Sequence, residues 1–376
     1  MHVLLTHPSA ELYGSDRMAL ESVVALVSRG IRVTTVLPVD GPLRAELESA
    51  GSNVVVRAIP VLRKAALRPA GLLRLIRDLV AKTPQMVAVV RQARPDVVYV
   101  NTIVQPWWML IGRLFGSRVV VHVREAEVEP PRLVRRALLL PLVAAHSIVA
   151  NSRFTERQVI ADGPRVGERT SVIYNGKDWS AYEVEHEESA AGEFRVLYLG
   201  RLSPRKGTDV LVRAVSLLRT GGRDIQLTLA GAVFPGYEWY EEELRQLCSD
   251  SGLGDSVRFA GFVDDPRPLL ARADVMVVPS RAEPFGTVAA EGMASGLPVV
   301  VSDVQGLVEI VSSDQVGLVV PAEDPEAIAR AVARLQDDPA LRYRLSVHGS
   351  TSVRDRFSRE RYRAEIADEI VRIANG

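Results

Sequence analysis

A chain of 376 residues is long for one core and suits two domains of ordinary size, and its 47% hydrophobic residues are enough to fill both. Its 46 Lys+Arg balance 46 Asp+Glu, and neither zinc-knuckle spacing nor aromatic–basic interleaving occurs, so no nucleic-acid partner is expected. The single cysteine, Cys248, excludes an internal disulfide framework and suits a reducing compartment.

The opening MHVLLTHPSAEL lacks the basic segment and long apolar run of a secretory leader. The most apolar window, ALLLPLVAAHSIVA (137–150), is interrupted by Pro141 and His146 and falls short of a membrane span. A soluble, cytoplasmic protein is expected. Its charge is uneven, however: residues 1–175 carry 23 Lys+Arg against 14 Asp+Glu, and the remainder reverses that excess. Much of the surplus lies in the basic 57–82 region, where Arg63, Lys64, Arg68, Arg74 and Arg77 interleave with Leu67, Leu72, Leu73, Leu75 and Ile76. Such a stretch either makes peripheral contact with an anionic membrane face or forms an Arg-rich solvated helix face.

In chain order, HVLLT (2–6) reads as a buried strand and SDRMALESVVALVSRG (15–30) as a helix closed by Gly30. The strands IRVTTVL (31–37), SNVVVRA (52–58), DVVYVN (96–101), RVVVHV (118–123) and HSIVAN (146–151) follow. Residues 175–193 are polar and acidic with little periodicity and read as a linker. The rhythm restarts with FRVLYLG (194–200), IQLTLAG (225–231), VRFAGFV (257–263), VMVVPS (275–280), PVVVSD (298–303) and VGLVV (316–320). β-rich runs alternating with helices predict parallel sheets covered on both faces, hence two doubly wound α/β domains at 1–174 and 194–358. The last helical pattern, 359–376, is expected to pack back on the first domain. Ligands of open parallel sheets bind beyond the carboxyl ends of the strands, so a central cleft between facing domains is the expected site.

Two segments at such strand ends carry chemistry. After FRVLYLG comes Arg201-Leu-Ser-Pro-Arg-Lys206-Gly207, which sets a guanidinium and an ammonium beside a helix N-terminus, where an anion is favoured. After VMVVPS comes Glu283-Pro-Phe285-Gly286-Thr287, then a helix containing Glu291 that stops at Gly296-Leu-Pro298. Pro284 and Gly286 separate the two carboxylates, one in a loop and one in a helix. Carboxylates accept hydrogen bonds from vicinal hydroxyls, so the two together suit a sugar and a ribose on either side of a diphosphate. That describes a nucleotide-sugar. A plainer reading makes Glu283 a capping acid on the helix dipole.

With YGSDR (13–17), VVVHVRE (119–125), IVANSRFT (148–155) and VIYNG (172–176), these segments run in the order seen in one family. GRLSPRKG (200–207), GFV (261–263), EPFGTVAAE (283–291) and GLPVVVSD (296–303) extend the match over nearly the whole length. The chain resembles the retaining GT-B glycosyltransferases of family 4 (glycosyl transferases group 1), which pair two Rossmann-like domains. The resemblance implies transfer of a sugar from a UDP- or GDP-sugar donor to a hydroxyl of a glycan or lipid-linked acceptor, without metal or other cofactor. It implies that Arg201 and Lys206 contact the donor pyrophosphate, Glu283 the donor sugar and Glu291 the ribose. Backbone N–H groups around Phe285, Gly286 and Thr287 would meet sugar or phosphate, and the base would rest near Phe262 and Val263. Gly14 would approach the phosphate, and His122 would face the reacting carbon. Tyr13 stands where the family has glycine, Lys177 departs from its Asn-Gly-Val-Asp segment, and Gln305 replaces the first glycine of a Gly-Gly pair.

Retention without an evident nucleophile suggests same-face attack in an ion pair, with the diphosphate taking the acceptor proton. Two other readings stand beside this one. A glycoside hydrolase would place its carboxylates on opposite sides of the scissile bond, which a shared loop and helix does not favour. A catalytically inactive GT-B-like protein would bind the nucleotide-sugar without turning it over.

Overall fold

The computed structural model describes the chain apart from Tyr13, residues 63–68, 126–130, 190–191 and Pro235. Tyr13, which stands where the family has glycine, and Arg63, Lys64, Leu67 and Arg68 of the basic stretch therefore lie outside the described residues. The chain divides into two compact units, Met1–Gly176 with Arg359–Gly376, and Lys177–Ser358.

The first unit holds β1 (His2–Thr6), β2 (Arg32–Leu37), β3 (Asn53–Val56), β4 (Val97–Val100), β5 (Arg118–Val123), β6 (Ser147–Ala150) and β7 (Thr170–Val172). All pair in parallel, in the order β3-β2-β1-β4-β5-β6-β7. Every residue of β1, β4 and β6 is buried, which is why those segments read as unbroken apolar runs rather than as alternation. Strand β7 was not expected. It is a three-residue, half-buried edge, too short to print a pattern.

The C-terminal helix Arg359–Asn375 belongs to this unit. Its Tyr362, Ile366, Ala367 and Ile370 share a core with Met18, Ala19 and Val23 of the helix Gly14–Val27. Gly14 opens that helix without the left-handed backbone of a turn glycine, and a Cβ there would meet open space.

The second unit holds β8 (Phe194–Leu199), β9 (Ile225–Ala230), β10 (Val257–Gly261), β11 (Val275–Val278), β12 (Val299–Ser302) and β13 (Leu318–Val320). Their order is β10-β9-β8-β11-β12-β13, again all parallel. Strand order reverses between β8 and β11, so loops leaving those two strands run in opposite directions and open a crevice at their carboxyl ends.

The segment expected as a linker packs on the second unit instead. Trp179 is buried, and its Nε1 donates to the Phe357 carbonyl at 2.7 Å. Lys177 N donates to the same oxygen at 3.1 Å, and Glu187 N reaches Ala271 O at 2.9 Å. Acidic composition concealed one indole, Trp179, whose burial anchors the start of the segment.

Candidate active site

The crevice between β8 and β11 is built from glycines before it is built from charges. Gly200 and Gly231 leave β8 and β9 with φ of 143° and 154°, and a Cβ on Gly231 would lie 1.8 Å from the Gly200 oxygen. Gly207 (φ 65°) caps the helix Thr208–Thr220, and its Cβ would lie 2.0 Å from Pro279 O. The loops after β8 and β11 therefore touch backbone to backbone. Arg281 bolts them together, donating to Pro204 O at 2.5 Å and gripping both Asp209 oxygens at 2.8 Å. Arg205 adds a bond to Ala282 O at 2.9 Å.

Within this frame Lys206 Nζ forms an ion pair with Glu283, both side chains 15% exposed. The capping reading of Glu283 does not hold, because Gly286 occupies the N-cap of the helix Thr287–Ala294 without any side-chain cap. The first turn of that helix keeps N–H groups with no partner inside the helix, beside the Lys206–Glu283 pair. Gly286 has φ 101°, a left-handed conformation that favours glycine, and its Cβ would press on the end of the Leu307 side chain, 2.6 Å from Cδ2. Phe285 is buried edge-on against Phe357, with ring centroids 5.5 Å apart. Gly306 packs on Pro284 and Phe285, and Gln305 beside it adopts φ 42°, the conformation a glycine would take without cost.

Arg201 follows β8 with its guanidinium over the Phe234 ring, 3.1 Å from the centroid, while Tyr198 Oη donates to its carbonyl at 2.7 Å. Glu291 lies one turn into its helix. Its Oε1 accepts from Lys177 Nζ at 2.5 Å and from Tyr182 Oη at 3.1 Å. Ser280 Oγ and Ser302 Oγ, just past β11 and at the end of β12, are buried with no hydrogen-bond partner among the described residues. Buried polar groups left unpaired are uncommon, and here they cluster at strand ends. Val263 lies in the loop after β10, next to an exposed Phe262.

The first unit carries a second polar cluster at the ends of β1, β4 and β5. His122 is fully buried, and its Nδ1 lies 2.8 Å from Tyr99 Oη and 3.1 Å from Arg124 Nη2. A guanidinium only donates, so Nδ1 accepts and the imidazole is the neutral form with hydrogen on Nε2. That Nε2 has no partner among the described residues. Burial, reinforced by the Arg124 charge, holds the His122 pKa well below the usual histidine range. Arg124 also donates to Asn101 Oδ1 at 2.9 Å, Asn175 Oδ1 at 2.8 Å and Tyr362 Oη at 3.0 Å. Glu125 accepts from Thr102 and from the Arg124 amide, and burial pushes its carboxyl upward. His7 and Asp16 form a buried pair at 2.6 Å.

Two family models match the chain: Glycosyltransferase Family 4 over residues 13–180 and Glycosyl transferases group 1 over residues 183–350. The chain belongs to the group 1 glycosyltransferases. The lipopolysaccharide core biosynthesis glycosyltransferase LpsD of Rhizobium meliloti is 37% identical over 171 residues, covering 46% of this chain and 47% of that protein. The D-inositol 3-phosphate glycosyltransferase of Thermomonospora curvata is 34% identical over 270 residues, covering 64% of this chain and 61% of its own length. The chain thus spans 47% and 61% of these two curated relatives. The crystal structure of Anabaena HepE in complex with UDP superposes with a TM-score of 0.82 at 23% identity, covering 99% of this chain and 100% of that one. That likeness shows the fold, GT-B, with two Rossmann-like units.

The structure brings Arg201, Lys206, Glu283, Phe285, Gly286 and Thr287 to one sheet crevice, with Glu291 one turn further along the same helix. Gly14 and His122 belong to the first unit. Sequence reasoning missed Lys177, Tyr182 and Phe234, the side chains that hold Glu291 and Arg201. One signal was available for Lys177: it is one of only four lysines in the chain.

Proposed function

We propose that the protein transfers a glycosyl group from a UDP-sugar to an acceptor hydroxyl with retention of anomeric configuration and without a metal ion. The observation that carries this reading is the Lys206–Glu283 pair set beside open helix N–H groups at the β8/β11 crevice. On donor binding the pair exchanges partners. Lys206, Arg201 and the helix N-terminus turn to the diphosphate, and Glu283 accepts from sugar hydroxyls. The acceptor oxygen bonds to the anomeric carbon as the bond to the diphosphate oxygen breaks, and the acceptor proton passes to the leaving diphosphate. Two cationic side chains and a helix dipole stabilise the charge that develops there, which is the role a metal ion would otherwise fill.

The names of the relatives support a saccharide acceptor, glycan or lipid-linked, and the complexes of HepE with UDP and UDP-glucose support uridine over guanosine. No described helix is long and apolar enough to cross a membrane. We place the reaction on the cytoplasmic side, with the 57–82 region as the peripheral contact.

Calorimetric titration of UDP, GDP and ADP, with and without EDTA, tests the donor site. UDP is expected to bind in EDTA, with Lys206→Ala weakening it by about 10-fold or more, since a hydrogen bond to a charged group is worth about 1.5–3 kcal/mol. Proton NMR of slow UDP-glucose hydrolysis should show α-glucose as the first product. Absence of diphosphate binding, or initial β-glucose, would overturn the donor and retaining parts respectively.

A further inference from the structure

We propose that Lys177 and Tyr182 belong to the nucleotide site, and that Lys177 Nζ supplies one of the two ribose contacts as a hydrogen-bond donor. The proposal rests on the reading of Glu291 as the ribose carboxylate.

The argument begins with the count of lone pairs. A carboxylate gripping two vicinal hydroxyls would ordinarily use one oxygen for each. Here Oε1 of Glu291 already accepts from Lys177 Nζ at 2.5 Å and from Tyr182 Oη at 3.1 Å, which fills both of its lone pairs. Only Oε2 remains, and it has no described partner. Lys177 Nζ has three N–H groups: one goes to Glu291 and one to the Tyr182 hydroxyl, with the ammonium 4.4 Å from the centre of the Tyr182 ring. The third has no partner among the described residues. The site therefore presents one open acceptor, Oε2, next to one open donor, Nζ–H. A vicinal diol fits that pair when one hydroxyl donates to Oε2 and the other accepts from Nζ.

Burial and residue choice agree. Glu291 is 12% and Lys177 25% exposed, so the pair is sheltered enough for each bond to count and open enough for a ligand to reach it. Only four of the 46 basic residues are lysines, yet Lys177 and Lys206 meet Glu291 and Glu283 respectively. An ammonium is a compact charge with rotatable donors and can serve carboxylate and ligand together, where a planar guanidinium would lock both oxygens. Trp179, buried and edge-on to Tyr182 with centroids 5.9 Å apart, fixes the tyrosine that orients Nζ.

The test titrates UDP, 2′-deoxy-UDP and 3′-deoxy-UDP into the wild type, Lys177→Met and Tyr182→Phe, with circular dichroism confirming folding. In the wild type, loss of either hydroxyl should weaken binding about 10-fold, as expected for bonds to charged groups. In Lys177→Met, one of those two penalties should fall below about threefold while the other persists, because only one hydroxyl loses its partner. Tyr182→Phe should reduce the same penalty by a smaller factor, and it carries the test if Lys177→Met does not fold. A mere structural ion pair would weaken all three ligands in parallel. If both penalties in Lys177→Met match the wild type while UDP still binds, the proposal is overturned and the donor reading stands. If UDP and GDP both fail to bind folded wild type, the donor reading falls and takes this proposal with it.

Discussion

Gly207 shows how tightly single residues constrain this site. Its φ of 65° belongs to the left-handed region, and the space a Cβ would need is occupied by Pro279 O at 2.0 Å. Backbone cannot swing aside as a flexible side chain can, so Gly207→Ala must push apart the loops that carry Lys206 and Glu283. The expected cost is about 2 kcal/mol or more of stability, together with loss of UDP binding. Urea unfolding and calorimetry check both, and an alanine variant as stable as wild type with intact binding would contradict the packing described. At this scale the sequence revealed which residues carry charge but not whom they meet. Arg201, Lys206, Glu283 and Glu291 stood out because strand-end loops and a helix start gave them a place. Lys177 did not, since its partner lies 114 positions away and nothing local records that pairing. Phe234 was hidden for the same reason, as its use is to lie under a guanidinium from the neighbouring strand.

Among the elements, the helix Pro69–Ala93 has two unlike halves separated by Pro84. Beyond the proline, Met86, Val89 and Val90 enter the core of the first unit. Before it, Leu73 and Val80 are each 71% exposed and Leu72 and Ile76 about half exposed, at spacings that put them on one face. Arg74 and Arg77 flank that face. Exposed leucines between arginines favour an anionic lipid surface over a merely solvated face, where the apolar residues would have no use. The protein should float with phosphatidylglycerol vesicles at low salt and be released by about 0.5 M salt, at which the Debye length is only a few ångströms. The double substitution Leu73→Glu and Val80→Glu should abolish flotation without altering the fold. No flotation of wild type at low salt would remove the membrane contact from the proposed function. The strands, by contrast, were legible almost throughout. Twelve runs named from apolar character correspond to twelve of the thirteen strands among the described residues. In β1, β4, β6, β11 and β12 every residue is buried, which leaves an unbroken apolar signature, and even the half-exposed edges β3 and β10 keep enough apolar residues to read as strands. The thirteenth, β7, is an edge of only three half-buried residues, Thr170, Ser171 and Val172, and too short to show a pattern.

Across the whole molecule, the histidines with displaced pKa values divide the two units. His2, His7, His122 and His146 all belong to the first unit, and burial lowers the pKa of each, His146 to about 4. The geometry agrees for the two innermost. His122 Nδ1 faces the Arg124 guanidinium, and His7 Nδ1 faces the Asn101 amide nitrogen at 3.0 Å, so a second proton on either ring would point at a donor. An unfolded histidine titrates near 6.5. Below that pH the unfolded chain binds protons that the folded unit refuses, so stability present above about pH 6.5 is lost as pH falls toward the folded values. Glu125, whose carboxyl burial raises, works in the opposite sense but is one group against four. In the second unit Asp209 and Glu238 are shifted downward from carboxylate values, and Cys248 and Tyr240 upward to about 11 and about 12, all outside the window between pH 6.5 and 5. Calorimetry at pH 7.5 and pH 5.0 should therefore show the first unit's transition falling by about 5 °C or more while that of the second barely moves. Hydrogen exchange assigns the transitions. If the second unit were the one to weaken on acidification, the neutral histidines would not be what ties the first unit's stability to pH. The same acid step should abolish any His122-dependent activity before donor binding declines, because the charged residues proposed to hold UDP, Arg201, Lys206, Glu283 and Glu291, all belong to the second unit.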